Sequence, residues 1–230
     1  MKAIRKSGER GATTIDWLDS KHTFSFGSYF DPNFMGFHTL RVINDDRVKP
    51  GAGFGAHGHA NMEIISYVVE GALEHKDSLG TGSVIRPGEV QKMSAGRGIR
   101  HSEYNASKVE PVRFLQIWIP PNEMNVEPSY EQKTIPPRSG EFVLIVSPDG
   151  KEGSVTVHQD AWIYRAVLNA GDEVSHTLGA DRKVWLQVVK GQLDVDGDAL
   201  VEGDGLAMVD ETSMTLRTDD HAEVLLFELA

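Results

Sequence analysis

No cysteine occurs anywhere in the 230 residues. That absence excludes disulfides, thiolate metal ligands and a cysteine nucleophile together, and it agrees with a reducing compartment. Basic residues are scarce as well. The 23 Lys and Arg stand against 34 Asp and Glu, a formal net charge of −11. No basic run interrupts this acidic balance, so direct binding to nucleic acid, which depends on Lys and Arg, is not expected. No stretch approaches the roughly 20 apolar residues of a membrane span. The start Met1-Lys2-Ala3-Ile4-Arg5-Lys6 leads into polar sequence without the apolar segment of a signal peptide. The expectation is a cytoplasmic protein without membrane contact. Long amphipathic helical patterns are missing too, which leaves little room for an α-helical fold.

What remains is β-rich. Ile64–Val69, Val112–Ile119, Phe142–Val146, Val184–Val189 and Val224–Phe227 are short runs of β-branched and aromatic residues separated by Gly, Pro and Asp turns. Evenly spaced short strands of this kind predict an all-β sandwich or barrel. The segment between Pro120-Pro121 and Pro136-Pro137 is punctuated by proline and reads as a connector. It divides the chain into a first half, 1–120, a connector, 121–140, and a second half, 141–230. The halves resemble each other. Val68-Val69-Glu70-Gly71-Ala72-Leu73 matches Val188-Val189-Lys190-Gly191-Gln192-Leu193, and Pro87 to Met93 matches Glu202 to Met208 in the same order. A duplicated β unit is expected.

Two residue pairs carry chemistry. His57 and His59, then His101 and Glu103, each have i, i+2 spacing. On a strand that spacing puts both side chains on one face. The first pair sits in the glycine-rich stretch Gly51 to His59, and the second follows Gly96 to Gly98. Two such pairs on neighbouring strands would surround one divalent cation with three imidazoles and a carboxylate. Imidazole suits Zn, Cu, Fe and Ni, and a carboxylate with open positions suits non-haem Fe(II). In the repeat, His57 and His59 fall on Thr177 and Gly179, and His101 and Glu103 fall on Leu216 and Thr218. The site is therefore expected once, in the first half.

The residues around these pairs resemble a known family. Gly51-x5-His57-x-His59-x3-Glu63 resembles the first cupin motif, and Gly98-x2-His101-x3-Asn105 the end of the second. Phe24 to Asp31, Leu40 to Asp46, Glu70 to Ser78 and Met93 to Glu103 are similar to the pirin family, and within it to bacterial quercetinase-type proteins. The resemblance covers the first half closely and the second, through Val155 to Asp160, more loosely. It implies a bicupin: two antiparallel jelly-roll β-barrels face to face, with one metal in the first. It implies His57, His59, His101 and Glu103 as ligands, with Glu103 taking the place that Glu63 has in other cupins. Glu63 then becomes a partner that orients a ligand imidazole. Glycine stands at position 96 where the second cupin motif has proline.

The implied activity is that of a metal-dependent dioxygenase acting on flavonols such as quercetin, with ring cleavage and release of carbon monoxide. Fe(II) comes first among the metals; Mn, Co, Ni, Cu and Zn remain open. Glu103 would be both ligand and the base for the substrate hydroxyl. The substrates would be a flavonol, or another small aromatic, and dioxygen. Other pirins imply an alternative, a non-enzymatic, redox-responsive iron protein that binds a protein partner. A deep pocket opening onto the metal would favour the enzyme, and a broad surface patch the regulator. Among other residues, His75 in a polar hairpin is expected to be solvated. His22, His38, His158, His176 and His221 lack ligand spacing. Met93 and Trp118 have strand spacing and are expected in the core. Most of Phe24, Phe26, Tyr29, Phe30, Phe34 and Phe37 are expected to fill the first core, with one or two on a pocket wall.

Overall fold

The computed structural model describes residues 1–230, and its architecture is β, with antiparallel pairing between the strands and one isolated parallel bridge, Ser139 to Val167. The only helical elements are two single 3-10 turns, Ser7–Glu9 and Lys151–Gly153. The chain forms two compact units.

One unit comprises Gly11–Ile135 and Val155–Gln159. Its larger sheet has seven strands in the order Ser129–Thr134, Glu89–Ser94, Glu63–Glu70, Val112–Ile119, Val42–Val48, Leu18–His22 and Gly11–Ile15. The smaller sheet has four, in the order Gly53–His59, Ile99–Asn105, Leu73–Asp77 and Gly82–Ile85. The proline-punctuated connector is thus not structureless. Ser129–Thr134 adds an edge strand against Glu89–Ser94, and prolines flank it without interrupting its backbone donors.

The interior of this unit is divided. Leu18, Val48, Val68, Leu73, Ile85, Val112 and Phe114 form one buried apolar cluster, and Ile64, Met93, Ala95 and Ile99 another. Buried polar side chains also occupy it: Ser66, Gln116, Asn44, His22, Ser20 and Glu103. Strand alternation alone would place apolar residues at such inward positions, so the polar centre marks where the fold serves something other than packing.

The other unit comprises Met1–Arg10, Pro136–Ser154 and Asp160–Ala230. Its sheet runs Lys2–Arg5, Gly205–Val209, Lys183–Val195, Ala222–Leu229, Ala161–Leu168 and Phe142–Ser147. Glu173–Thr177 pairs with Ser213–Arg217, which together with Asp198–Val201 extends the far end of Lys183–Val195. Its interior is aliphatic: Leu168, Leu178, Val184, Leu186, Leu206, Met208, Leu216 and Leu226 belong to one buried cluster.

The repeat read from sequence has a structural counterpart. Gly71 and Gly191 both adopt left-handed backbone, φ 76° and 74°. A Cβ on either would collide with the backbone of the neighbouring strand, at Pro111 and at His221. Only glycine satisfies both demands. In the first unit the chain breaks at Gly71 into two strands. In the second it continues through Gly191 as one 13-residue strand, with a bulge between Val188 and Lys190 absorbing the bend.

Candidate metal centre

His57, His59, His101 and Glu103 all lie on the smaller sheet of the first unit, on the paired strands Gly53–His59 and Ile99–Asn105. His101 is directly opposite His57. Between His101 and Glu103 the register slips, so that Glu103 opposes Phe54. The extra residue sits on the first strand, at the exposed Gly55-Ala56. This bulge was not expected from spacing. It brings Phe54 onto the same face as His57, and it frees the Gly55 carbonyl, which lies 2.8 Å from His57 Nδ1. A Nδ1–H donated there leaves the Nε2 lone pair of His57 for a metal, the orienting role a carboxylate often takes.

The imidazole nitrogens of His57, His59 and His101 converge within 4.8 Å of one another. The ring centroids are 4.4 Å apart for His57 and His101, 4.8 Å for His57 and His59, and 4.9 Å for His59 and His101. Both nitrogens of His101 are buried and lack hydrogen-bond partners. A buried polar atom without a partner is costly, and a metal ion would relieve it. Burial, reinforced by the neighbouring imidazoles, pushes His59 down to about 4 and His101 down to about 3. Both rings are therefore neutral at pH 7, the form that binds a cation. The donor set fits a divalent transition metal.

Glu103 is 2 % exposed. Its Oε1 accepts from Ser66 Oγ at 3.0 Å and its Oε2 from Gln116 Nε2 at 2.7 Å. Both donors come from the larger sheet. Glu103 does not fall in the same 4.8 Å group as all three imidazoles; it groups with His101 and His75. His75 is a correction. Far from being a solvated turn residue, it is fully buried, 2.9 Å from Asp77 Oδ2 through Nε2, and packed on the rings of His101 and Tyr130. Its strand, Leu73–Asp77, alternates inward at Leu73, His75 and Asp77, a pattern hidden in sequence by the flanking Glu74 and Lys76. Glu63 is also buried, but its Oε2 accepts from Ser94 Oγ at 2.8 Å and from the His158 amide at 3.2 Å, while Oε1 has no partner. The expected hydrogen bond from a ligand imidazole is not formed; the donor that Glu63 meets is Ser94, its cross-strand neighbour.

A cavity of about 300 Å³ opens beside the cluster. His57, His59 and Glu103 line one side, and Leu18, Phe26, Phe54 and Trp118 give it apolar walls. The aromatic segment differs from expectation. Only Phe24 is buried; Phe26, Tyr29, Phe34 and Phe37 are half-buried and Phe30 is 71 % exposed. Residues 23–41 hold no strand, only isolated bridges at Phe26–Tyr29 and Phe37–Leu40, so alternation never carries these rings inward. Met93 is core as expected. Trp118 instead stands half-buried at the cavity, its ring 5.0 Å from that of His59 and 5.4 Å from that of Phe26. His22, Asn44 and Asp46, which spacing did not single out, line the same cavity.

Known families match both parts of the chain. Residues 3–119 match the Pirin family model, and residues 144–229 match the model described as Quercetinase C-terminal cupin domain. The chain belongs to the pirin family. This pirin is 50 % identical over 226 residues, 98 % of its length and 97 % of the relative's, to Quercetin 2,3-dioxygenase of Escherichia coli K12. It is 41 % identical to a Pirin-like protein of Caulobacter vibrioides, over 96 % of each chain. The crystal structure of the bacterial pirin YhhW of Escherichia coli in complex with nickel(II) superposes with a TM-score of 0.95 at 49 % identity, covering 100 % of this chain and 99 % of that one. The fold is the expected bicupin. Both clusters of candidate ligands lie in the first unit. In the second, Leu216, the counterpart of His101, is buried in the aliphatic core and pairs with Val174, so the place of His57 opposite His101 is taken there by Val174 and not by Thr177, the residue that the repeat offset set there.

Proposed function

We propose that this pirin is a metal-dependent dioxygenase that opens flavonols such as quercetin, with His57, His59, His101 and Glu103 holding the metal. The cavity carries this reading: a half-open, largely apolar space of about 300 Å³ bounded by His57, His59 and Glu103. That volume is at the lower end of the range typical of small-molecule sites, roughly 300–1,000 Å³. A redox-responsive regulator would present its cluster to a partner's surface; of the cluster, only His59 borders a shallow, open depression, with Gly58, Ile99 and Arg100, whereas the apolar cavity reaches His57, His59 and Glu103. The similarity to the Escherichia coli dioxygenase supports the reaction class. Fe(II) is the metal we favour on ligand chemistry; the nickel(II) complex of a relative keeps nickel in view.

When bound, the divalent metal supplies a Lewis acid that makes a coordinated hydroxyl more acidic. The chain supplies the rest. A carboxylate has about four lone-pair sites. Ser66 and Gln116 engage two on Glu103, which leaves one for the metal and one for the proton of the substrate's 3-hydroxyl. Glu103 is favoured over His75 as fourth ligand because it lines the cavity, whereas His75 is held by Asp77 behind His101. Phe26, Phe54 and Trp118 present ring faces and edges to a flat substrate and exclude water from the reacting carbon.

The test is oxygen uptake with quercetin after anaerobic loading with Fe(II), Mn(II), Co(II), Ni(II) or Cu(II) in turn. Uptake with at least one metal, lost in Glu103→Gln but retained in His75→Gln, is expected. No uptake with any metal refutes the proposal.

A further inference from the structure

The larger sheet of the first unit turns a polar wall toward the cavity. Two cross-strand rows build it. Gln116, Asn44 and His22 are successive partners across three strands, and Asp46, Ser20 and Thr13 form the next row. Most groups in these rows are satisfied within the wall. His22 Nδ1 lies 2.7 Å from Asn44 Oδ1, and its Nε2 lies 2.9 Å from Thr13 Oγ1. Gln116 donates to Glu103. Asp46 is the exception. It is 3 % exposed, lines the cavity and accepts a hydrogen bond from Ser20, yet its Oδ1 has no partner. Trp118 lines the same cavity with its buried indole N–H also unpartnered.

We propose that Asp46, steadied by Ser20, is a specificity-determining residue that receives a ring hydroxyl of the substrate other than the one beside the metal cluster. A buried acceptor without a donor is costly, and a ligand carrying O–H or N–H relieves it where an unsubstituted ring that displaces water does not. An unsubstituted aromatic ring would enter the apolar part of the cavity but leave Asp46 unmet. Sites of this kind discriminate strongly against analogues that lack the hydroxyl. Either protonation state serves, since both the carboxylate and the carboxylic acid keep an acceptor oxygen. The substrate class narrows accordingly, from flavonols in general to flavonols hydroxylated on the rings as well as at the 3-position. The Trp118 N–H offers the complementary donor to a ring oxygen.

The inference rests on the flavonol reading. Equilibrium binding to the metal-loaded protein under anaerobic conditions tests both separately. The probes are quercetin and 3-hydroxyflavone, which keeps the 3-hydroxyl and no other. The wild type should favour quercetin by roughly tenfold or more, the ratio expected for a hydrogen bond to a charged or strongly polar buried group. Asp46→Ala should bring that ratio close to one, and Asp46→Asn, which keeps an acceptor, should restore part of it. A wild-type ratio near one, or an unchanged ratio in Asp46→Ala, overturns the role of Asp46. Should Asp46→Ala fail to fold, the wild-type ratio and the Asp46→Asn ratio still decide the matter, the latter by falling below wild type. If wild type binds neither probe, the flavonol reading itself fails.

Discussion

At the scale of single residues, the centre is assembled from groups whose needs the protein leaves unmet. His101 is the clearest, with two buried and unpartnered ring nitrogens. Replacing it with alanine should reduce bound metal to background by elemental analysis while the β-rich circular dichroism persists; metal retained at wild-type level would refute the ligand set. Gln116 acts through Glu103, so Gln116→Leu should lower metal affinity or turnover roughly 10–100-fold, as loss of a ligand's outer hydrogen bond commonly does. An unaltered metal affinity together with an unaltered pH–rate profile would contradict that role. Asp46 gives a pH prediction. Burial, then the nearby Glu103 and Asp45, raises its carboxyl from 3.8 to about 7. Between those values the folded protein holds a proton the unfolded chain has released, so stability falls as pH rises through that window, at up to about 1.4 kcal/mol per unit. Asp46→Asn removes this dependence. In metal-free protein its advantage in Tm over wild type should be smallest near pH 4 and grow toward pH 7 and above; a constant difference would show that Asp46 does not titrate there. The candidate ligands were legible in sequence because i, i+2 spacing on a strand survives any detail of packing. Asp46 and His75 were not, since a buried acid and a solvated one look alike until the neighbouring strands are placed.

At the scale of elements, the strands were readable where short apolar runs were dense, as in Glu63–Glu70, Val112–Ile119 and Ala222–Leu229. The bulge at Gly55-Ala56 was not, because it depends on how two strands register rather than on either alone. The same holds for the pairing of Lys2–Arg5 with Gly205–Val209, a contact between strands some two hundred residues apart in sequence. The aromatic run from Phe24 to Phe37 misled for a related reason. Its composition suits a core, but only strand or helix periodicity would have carried the rings inward, and neither is present. Gly71 and Gly191 show how much a repeat can rest on one backbone position. Gly71→Ala would impose both a strained φ and a clash with the Pro111 carbonyl, while Gly51→Ala, at φ 69° with open space around it, imposes the strain alone. Denaturant unfolding should show a loss of about 1 kcal/mol for Gly51→Ala and distinctly more, about 2–4 kcal/mol, for Gly71→Ala. Equal losses would mean that the close approach of the strands is not what demands glycine at 71.

At the scale of the whole molecule, one fold is used twice with different interiors. The second unit fills its barrel with leucine, valine and methionine, so Leu216 stands where His101 would be. The first interrupts its apolar clusters with Ser66, Gln116, Asn44, His22, Asp46 and Glu103, and the space this leaves is the cavity. The central claim is that this polar interior exists to hold a metal beside a flavonol. It is tested most directly by supplying quercetin and dioxygen to protein loaded anaerobically with Fe(II), and measuring oxygen consumed together with carbon monoxide released. The account predicts equimolar uptake and release in the wild type and neither in His101→Ala. Equal rates in the two proteins, or no reaction in a fully metal-loaded wild type with any of the divalent metals, would contradict it.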